Sequence, residues 1–193
     1  MRGPMRWPSA PEAAVAEPVR SLRWRYWALF ALIAAVSVLL RLLPLSSLPG
    51  GLPGPDLLLC LVLAWVLRRP DYVPALLIVA VFLLEDLLLM RPPGLWALVV
   101  LLGSEFLRGR QPLMRELGFP LEWAVVSAVI GAMWLAARLV QGVLLVPLPP
   151  LGDSLAQLLL TVLAYPLVVG FSRVMLRVRK PATGEVDALG RPL

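Results

Sequence analysis

Apolar positions gather in six long runs, at 24–43, 55–67, 72–90, 94–107, 121–141 and 153–175, with breaks rich in Pro, Gly and Arg between them. The runs lack the strict apolar and polar alternation of a membrane barrel. Backbone amides inside a bilayer must find partners within their own segment, so the runs predict α-helices. The first, third, fifth and sixth are long enough to cross the roughly 30 Å hydrocarbon core, which takes about 20 residues. The other two are short: residues 56–67 cover about 17 Å as a helix and 94–107 about 20 Å. Each of these either crosses fully or forms a re-entrant or shielded helix. With no internal repeat, the pattern predicts one domain at 21–180, an all-α polytopic transmembrane bundle of six helices. It lies between a Pro-rich disordered tail at 1–20 and a short cytoplasmic tail at 181–193. Within the first tail, Ser9, Ala10, Pro11 and Glu12 carry a helix-opening signature.

Composition narrows the class. Apolar residues make up 60% of the 193, charged residues 16%, and mean hydropathy is +0.84; a soluble domain carries about 25% charge. There is no His, one Cys (Cys60) and one Lys (Lys180), so His-centred triads, His or Cys metal sites and disulfide frameworks lack their parts. No cofactor and no nucleic acid is expected, because the +6 net charge forms no basic stripe on a soluble face.

The cations instead set an orientation. Six crossings with an inside N-terminus put Arg2, Arg6, Arg20, Arg23, Arg25, Arg68, Arg69, Arg108, Arg110, Arg115, Arg173, Arg177, Arg179, Lys180 and Arg191 on the cytoplasmic side. Only Arg41, Arg91 and Arg138 are left on the other. The positive-inside rule therefore predicts both termini inside. Trp24, Trp27, Trp65 and Trp123 fall at the inner interface and Trp96 at the outer one, as an aromatic belt does. The first run continues past its one weak small-residue site at Ala35, Val36 and Ser37, so a cleaved signal peptide is not expected. The basic exit of the last run suits anionic lipid heads or an acidic partner.

Pro55 and Asp56 open the second run, Arg68, Arg69 and Pro70 close it, and Asp86 precedes a Pro93-Gly94 turn. This order resembles the rod shape-determining membrane protein D (MreD) family, residue by residue over 55–110 and elsewhere in length and hydropathy. The chain departs from that family in a long Pro-rich N-terminal tail and in having Glu85 beside Asp86, where Asp86 is the counterpart by its spacing to Gly94. The resemblance implies a non-enzymatic multi-pass subunit of the bacterial inner (cytoplasmic) membrane, working with the bitopic MreC, the actin-like MreB, and RodA with its transpeptidase partner. At the level of fold it also implies a likeness to the substrate-binding subunits of energy-coupling-factor transporters, which carries no function across.

Charges inside a membrane are costly, so each needs a reason. Arg41, Asp56, Glu85, Asp86, Arg91, Arg138 and Asp153 all map to the outer half and are expected to form a paired network. Asp56, Arg91 and Asp153 have a simpler alternative as helix caps at the water boundary. Consecutive helix positions lie about 100° apart, so Glu85 and Asp86 cannot serve one partner. Nothing beside these acids completes an acid-base or metal site, so no enzyme is expected. In the fifth run Ala124, Ala128, Ala132 and Ala136 recur every fourth residue, with Ser127 and Gly131 on the adjoining row. Such a stripe admits a close helix backbone, either a neighbour of the bundle or another chain such as the MreC anchor. The loops 43–54 and 141–152 carry no charge and are rich in Leu, Val and Pro, including Leu45, Leu48 and Leu52 and then Leu144, Leu145, Val146 and Leu148. They are expected on the membrane surface or under a periplasmic partner. A small-molecule-binding transporter subunit is the rival class. It needs a pocket of convergent polar groups on the outer side.

Overall fold

A segment apolar on every side must be enclosed by its neighbours, and LLLCLVLAWVLR, the helix α2 (Leu57–Arg68), is such a segment. In the computed structural model every residue from Leu58 to Arg68 is buried. The structure describes the backbone of residues 12–42 and 54–174, with side chains from 24 onward and without that of 115. The expectations for 1–11, for the first outer loop at 43–53 and for residues from 175 onward, which include Arg177, Arg179, Lys180 and the 181–193 tail, lie outside the described residues.

Around α2 stand α1 (Glu12–Leu42), α3 (Ala75–Leu88), α4 (Leu95–Gly109), the short α5 (Gln111–Glu116), α6 (Phe119–Val143) and α7 (Leu151–Val174), with a 3₁₀ turn at Pro70–Tyr72. Among the described residues there is no strand, and the fold they form is all-α. Among the described residues three helical segments are long and apolar enough to cross a membrane: Trp24–Leu42, Phe119–Val143 and Leu151–Val174.

Side-chain contacts fix the helix directions. Trp27 Nε1 donates to the Asp71 carbonyl just past the C-terminal end of α2 (2.9 Å), whereas Arg41, fourteen residues on, meets Asp56 at its N-terminal end. Arg108 near the end of α4 donates to the Val73 carbonyl before α3 (2.8 Å). Glu122 at the start of α6 meets Arg68, and α7 lies along α2 from Thr161 beside Asp56 to Ser172 beside Trp65. So α1, α3 and α6 run one way, and α2, α4 and α7 the other.

The helix α1 starts at Glu12, the last residue of the helix-opening signature at 9–12, and the helix formers of EAAVAE extend a helix that the apolar run already nucleates. Two other expectations change. The third run gives a helix of only 14 residues, about 21 Å long. It opens after Pro74, the N-cap residue, and closes in a Schellman turn: Met90 is left-handed (φ 53°) and the Arg91 N–H reaches the Asp86 carbonyl (2.9 Å). Trp65 is no belt residue. It is fully buried, donates to Ser172 Oγ (3.2 Å), and meets the stacked pair Tyr26 and Tyr72 edge-on.

Pro166 lies inside α7 and has no N–H for the carbonyl four residues back, at Val162. Trp123 Nε1 of α6 donates to that carbonyl (2.9 Å). In a medium without water such a replacement donor is what permits an internal proline.

Candidate functional site

The C-terminal ends of α1 and α3 and the N-terminal end of α2 bring four of the seven expected charges together. Arg41 in the last turn of α1 pairs with both Asp56 (2.8 Å) and Glu85, and Arg91 stands 3.9 Å from Glu85. Two cations thus face two carboxylates. Asp56 also caps α2, where its Oδ1 accepts the Leu59 N–H (2.9 Å). Asp86 points elsewhere, as the 100° rule requires. Its Oδ2 accepts the Trp96 and Ala97 N–H groups (3.2 Å each), capping α4 from another helix. The residue at the N-cap of α4 is Gly94, held at φ 84° with no side chain to cap, so the donors of that first turn need an outside acceptor.

Arg138 and Asp153 stay out of this network. Arg138 donates to Ser154 Oγ (2.9 Å) and the Pro149 carbonyl (3.1 Å), and its guanidinium lies 5.5 Å from the Trp134 ring centroid. Asp153 is exposed in the first turn of α7, where the helix dipole already favours an acid.

A second buried charge cluster lies at the opposite end, and the sequence reading missed it. Arg68 is not an interfacial cation: it is 2% exposed and pairs with Glu122 at 2.8 Å. Tyr165 Oη donates to the same Glu122 oxygen (3.0 Å), and Arg68 Nη1 donates to the Ala64 carbonyl (3.1 Å). The available signal was that Arg68 ends a helix with no polar face, so it goes inside with that helix. Glu122, the one acid in the run 121–141, is its natural counter-charge.

Between the C-terminal end of α6 and the N-terminal end of α7 lies a cavity of about 260 Å³. It exists because neighbouring helices differ in length. The N-terminal end of α2 meets α7 at Thr161, whose Oγ1 accepts the Asp56 N–H (2.9 Å), ten residues after α7 begins at Leu151. That leaves about 15 Å of α7 beyond the top of α2. Leu59 and Asp56 form the floor, and Arg138, Gln141, Ser154 and Gln157 line the walls. Trp96, also in the wall, carries an indole N–H that is buried without an acceptor.

The small-residue stripe faces outward. Ala124, Ala128, Ala132 and Ala136 are exposed, and a side chain at Gly131 would meet nothing within 4 Å. The bundle instead buries Glu122, Val126, Val129, Ile130, Met133 and Ala137 of α6. The Glu122 pair and the larger side chains select that face, because van der Waals contact and polar pairing are what hold helices together in lipid. The apolar loop after α6 is also open: Val143, Leu144 and Leu145 are 82%, 60% and 90% exposed, and Leu148 is exposed too.

Neither protein-family models, curated proteins nor solved structures give a significant match to this chain. Among the described residues, fold and site together give an all-helical protein with two charge clusters at its helix ends and three helices long and apolar enough to cross a membrane. Among the described residues no group of three His, Cys, Asp or Glu is placed to hold a metal ion.

Proposed function

We propose that the chain is a non-enzymatic, six-span scaffold of the bacterial inner membrane, of the MreD type. It binds MreC and keeps it with MreB and RodA and its transpeptidase partner, supporting peptidoglycan synthesis and cell shape. The alternating helix directions support six spans with both termini inside: Arg25, Arg68, Arg69, Arg108, Arg110 and Arg173 fall at one end, and Arg41, Arg91 and Arg138 at the other. The residues that carry the resemblance, Asp56, Asp86 and Gly94, sit at joints between helices, where a shared fold would need them.

One observation carries the reading. Met90 and Leu145, both at the outer end, hold left-handed backbone (φ 53° and 54°) where glycine is the default, and both are about nine-tenths exposed. Left-handed backbone costs a non-glycine residue roughly 1–2 kcal/mol. Retaining a large apolar side chain there makes sense if the side chain itself is used, and an outer partner uses it. Leu145→Gly relieves the backbone while removing the contact. The expected result is an unchanged or higher unfolding temperature together with weaker co-purification of tagged MreC and loss of rod shape on replacement. Full MreC recovery with Leu145→Gly refutes the contact.

A second reading, a small-molecule-binding subunit of a transporter, is favoured by the cavity. Its Gln141, Gln157, Ser154 and Thr161 supply the convergent polar groups such a function needs.

A further inference from the structure

The cavity above α2 is lined by two guanidinium groups and one carboxylate. Arg138 offers five N–H groups in a fixed fork, and two of its nitrogens are engaged, by Ser154 and Pro149. Among the described residues no carboxylate pairs with it. Arg91 also lines the cavity, and its ion-pair partner, Glu85, is 3.9 Å away and shared with Arg41. The Trp96 indole N–H is buried with no acceptor, and the side-chain amides of Gln141 and Gln157 each add both a donor and an acceptor. On the acceptor side the only carboxylate in the lining is Asp56, already engaged by Arg41 and by the Leu59 N–H. A ligand that completes this site brings negative charge and several acceptor oxygens. Its head belongs at the Arg138 end, away from the Asp56 floor.

Much of the rest of the lining is apolar, with Leu95, Ile130 and Leu158 in the walls. The volume of about 260 Å³ equals roughly nine waters at their share of the liquid, about 30 Å³ each. That holds a head group and the first few carbons of a chain, not a whole lipid. Leu155 and Leu159 of α7, 44% and 61% exposed, offer an apolar path along the same helix for what does not fit. We propose that this cavity binds the phosphate-bearing head group of an anionic lipid, with Arg138 and Arg91 as its charge partners. The inference names a ligand for the cavity that favours the second reading, but it requires neither transport nor MreC. Leu145, which tests the scaffold reading, is not part of the lining.

The test uses the full chain, purified in detergent and delipidated. Phosphatidylglycerol, phosphatidylcholine and inorganic phosphate are titrated separately. Retention of the lipids is read by native mass spectrometry, and protection of the buried Cys60 thiol against heat-induced labelling is read for all three. Phosphatidylglycerol is expected to bind and protect, and the other two to do so weakly. Arg138→Gln removes a charge-assisted contact and is expected to weaken phosphatidylglycerol about ten- to a hundred-fold. Ala137→Phe fills the cavity, keeps every charge, and is expected to do the same; it decides alone if Arg138→Gln does not fold. Arg110→Gln, at the opposite end and stacked on Phe106, serves as the control that binds like the parent. Phosphatidylglycerol binding at the parent's strength by either folded cavity variant overturns the proposal. Equal binding of phosphatidylcholine also overturns it, and equal protection by inorganic phosphate makes the ligand a free anion rather than a lipid.

Discussion

Glu122→Gln isolates the energetics of the Arg68–Glu122 cluster. The substitution keeps the shape and leaves Tyr165 an acceptor, but it strips the Arg68 guanidinium, 2% exposed, of its anion at 2.8 Å. Removing one partner of a buried ion pair costs about 3–5 kcal/mol. With about 2–4 °C per kcal/mol for a chain of this size, the unfolding midpoint should fall by roughly 6–20 °C. The protein carries its own reporter. Cys60 is the one cysteine, it is fully buried, and it sits two helical turns from Arg68 in the same α2. A dye that fluoresces on reaction with a thiol therefore reads the opening of α2 directly during heating. Replacing both partners, Arg68→Met with Glu122→Met, removes the stranded charge, and its midpoint should return to the parent value or exceed it. If Glu122→Gln labels at the parent midpoint, or if the double variant is as damaged as the single, the pair does not hold α2 in place.

Three further outcomes follow from the same geometry. Trp123→Phe strands the Val162 carbonyl, at a cost of about 1–3 kcal/mol, and Pro166→Ala added to it restores the missing helical N–H and should recover most of the loss in the same thiol assay. Gly94→Ala should destabilise by roughly 1–2 kcal/mol through its backbone alone, since the nearest atom to a new Cβ is Leu83 Cδ1 at 4.0 Å; a circular-dichroism melt that matches the parent refutes this. Arg41→Gln, which leaves Asp56 and Glu85 facing each other, should lower the midpoint far more than Asp153→Asn, an exposed site where changes stay within about 0.5 kcal/mol.

The helices were legible because long apolar runs between Pro, Gly and Arg leave the chain little choice in lipid. Their environments were less so. Arg68 counts as an interfacial cation when only its neighbours in sequence are considered; its burial follows from the polarity of α2 as a whole. The outer network was half legible. The 100° separation correctly sent Glu85 and Asp86 to different partners, yet Arg138 was expected to find an acid and found Ser154 instead, since pairing depends on how far α7 rises past α2. The cavity could not be anticipated, because it comes from a mismatch between a 12-residue helix and neighbours of 24 and 25. The stripe of alanines was visible, but its outward direction depends on which other face of α6 the bundle buries.

The enclosure of α2 also bears on the order of synthesis. Its counter-charge, Glu122, lies 54 residues downstream of Arg68, and Thr161 and Ser172 come more than a hundred residues after the positions they serve. While the ribosome is still making α3 and α4, α2 has emerged with none of these partners. The heart of the bundle is therefore finished late, when α7 closes over a segment made long before it.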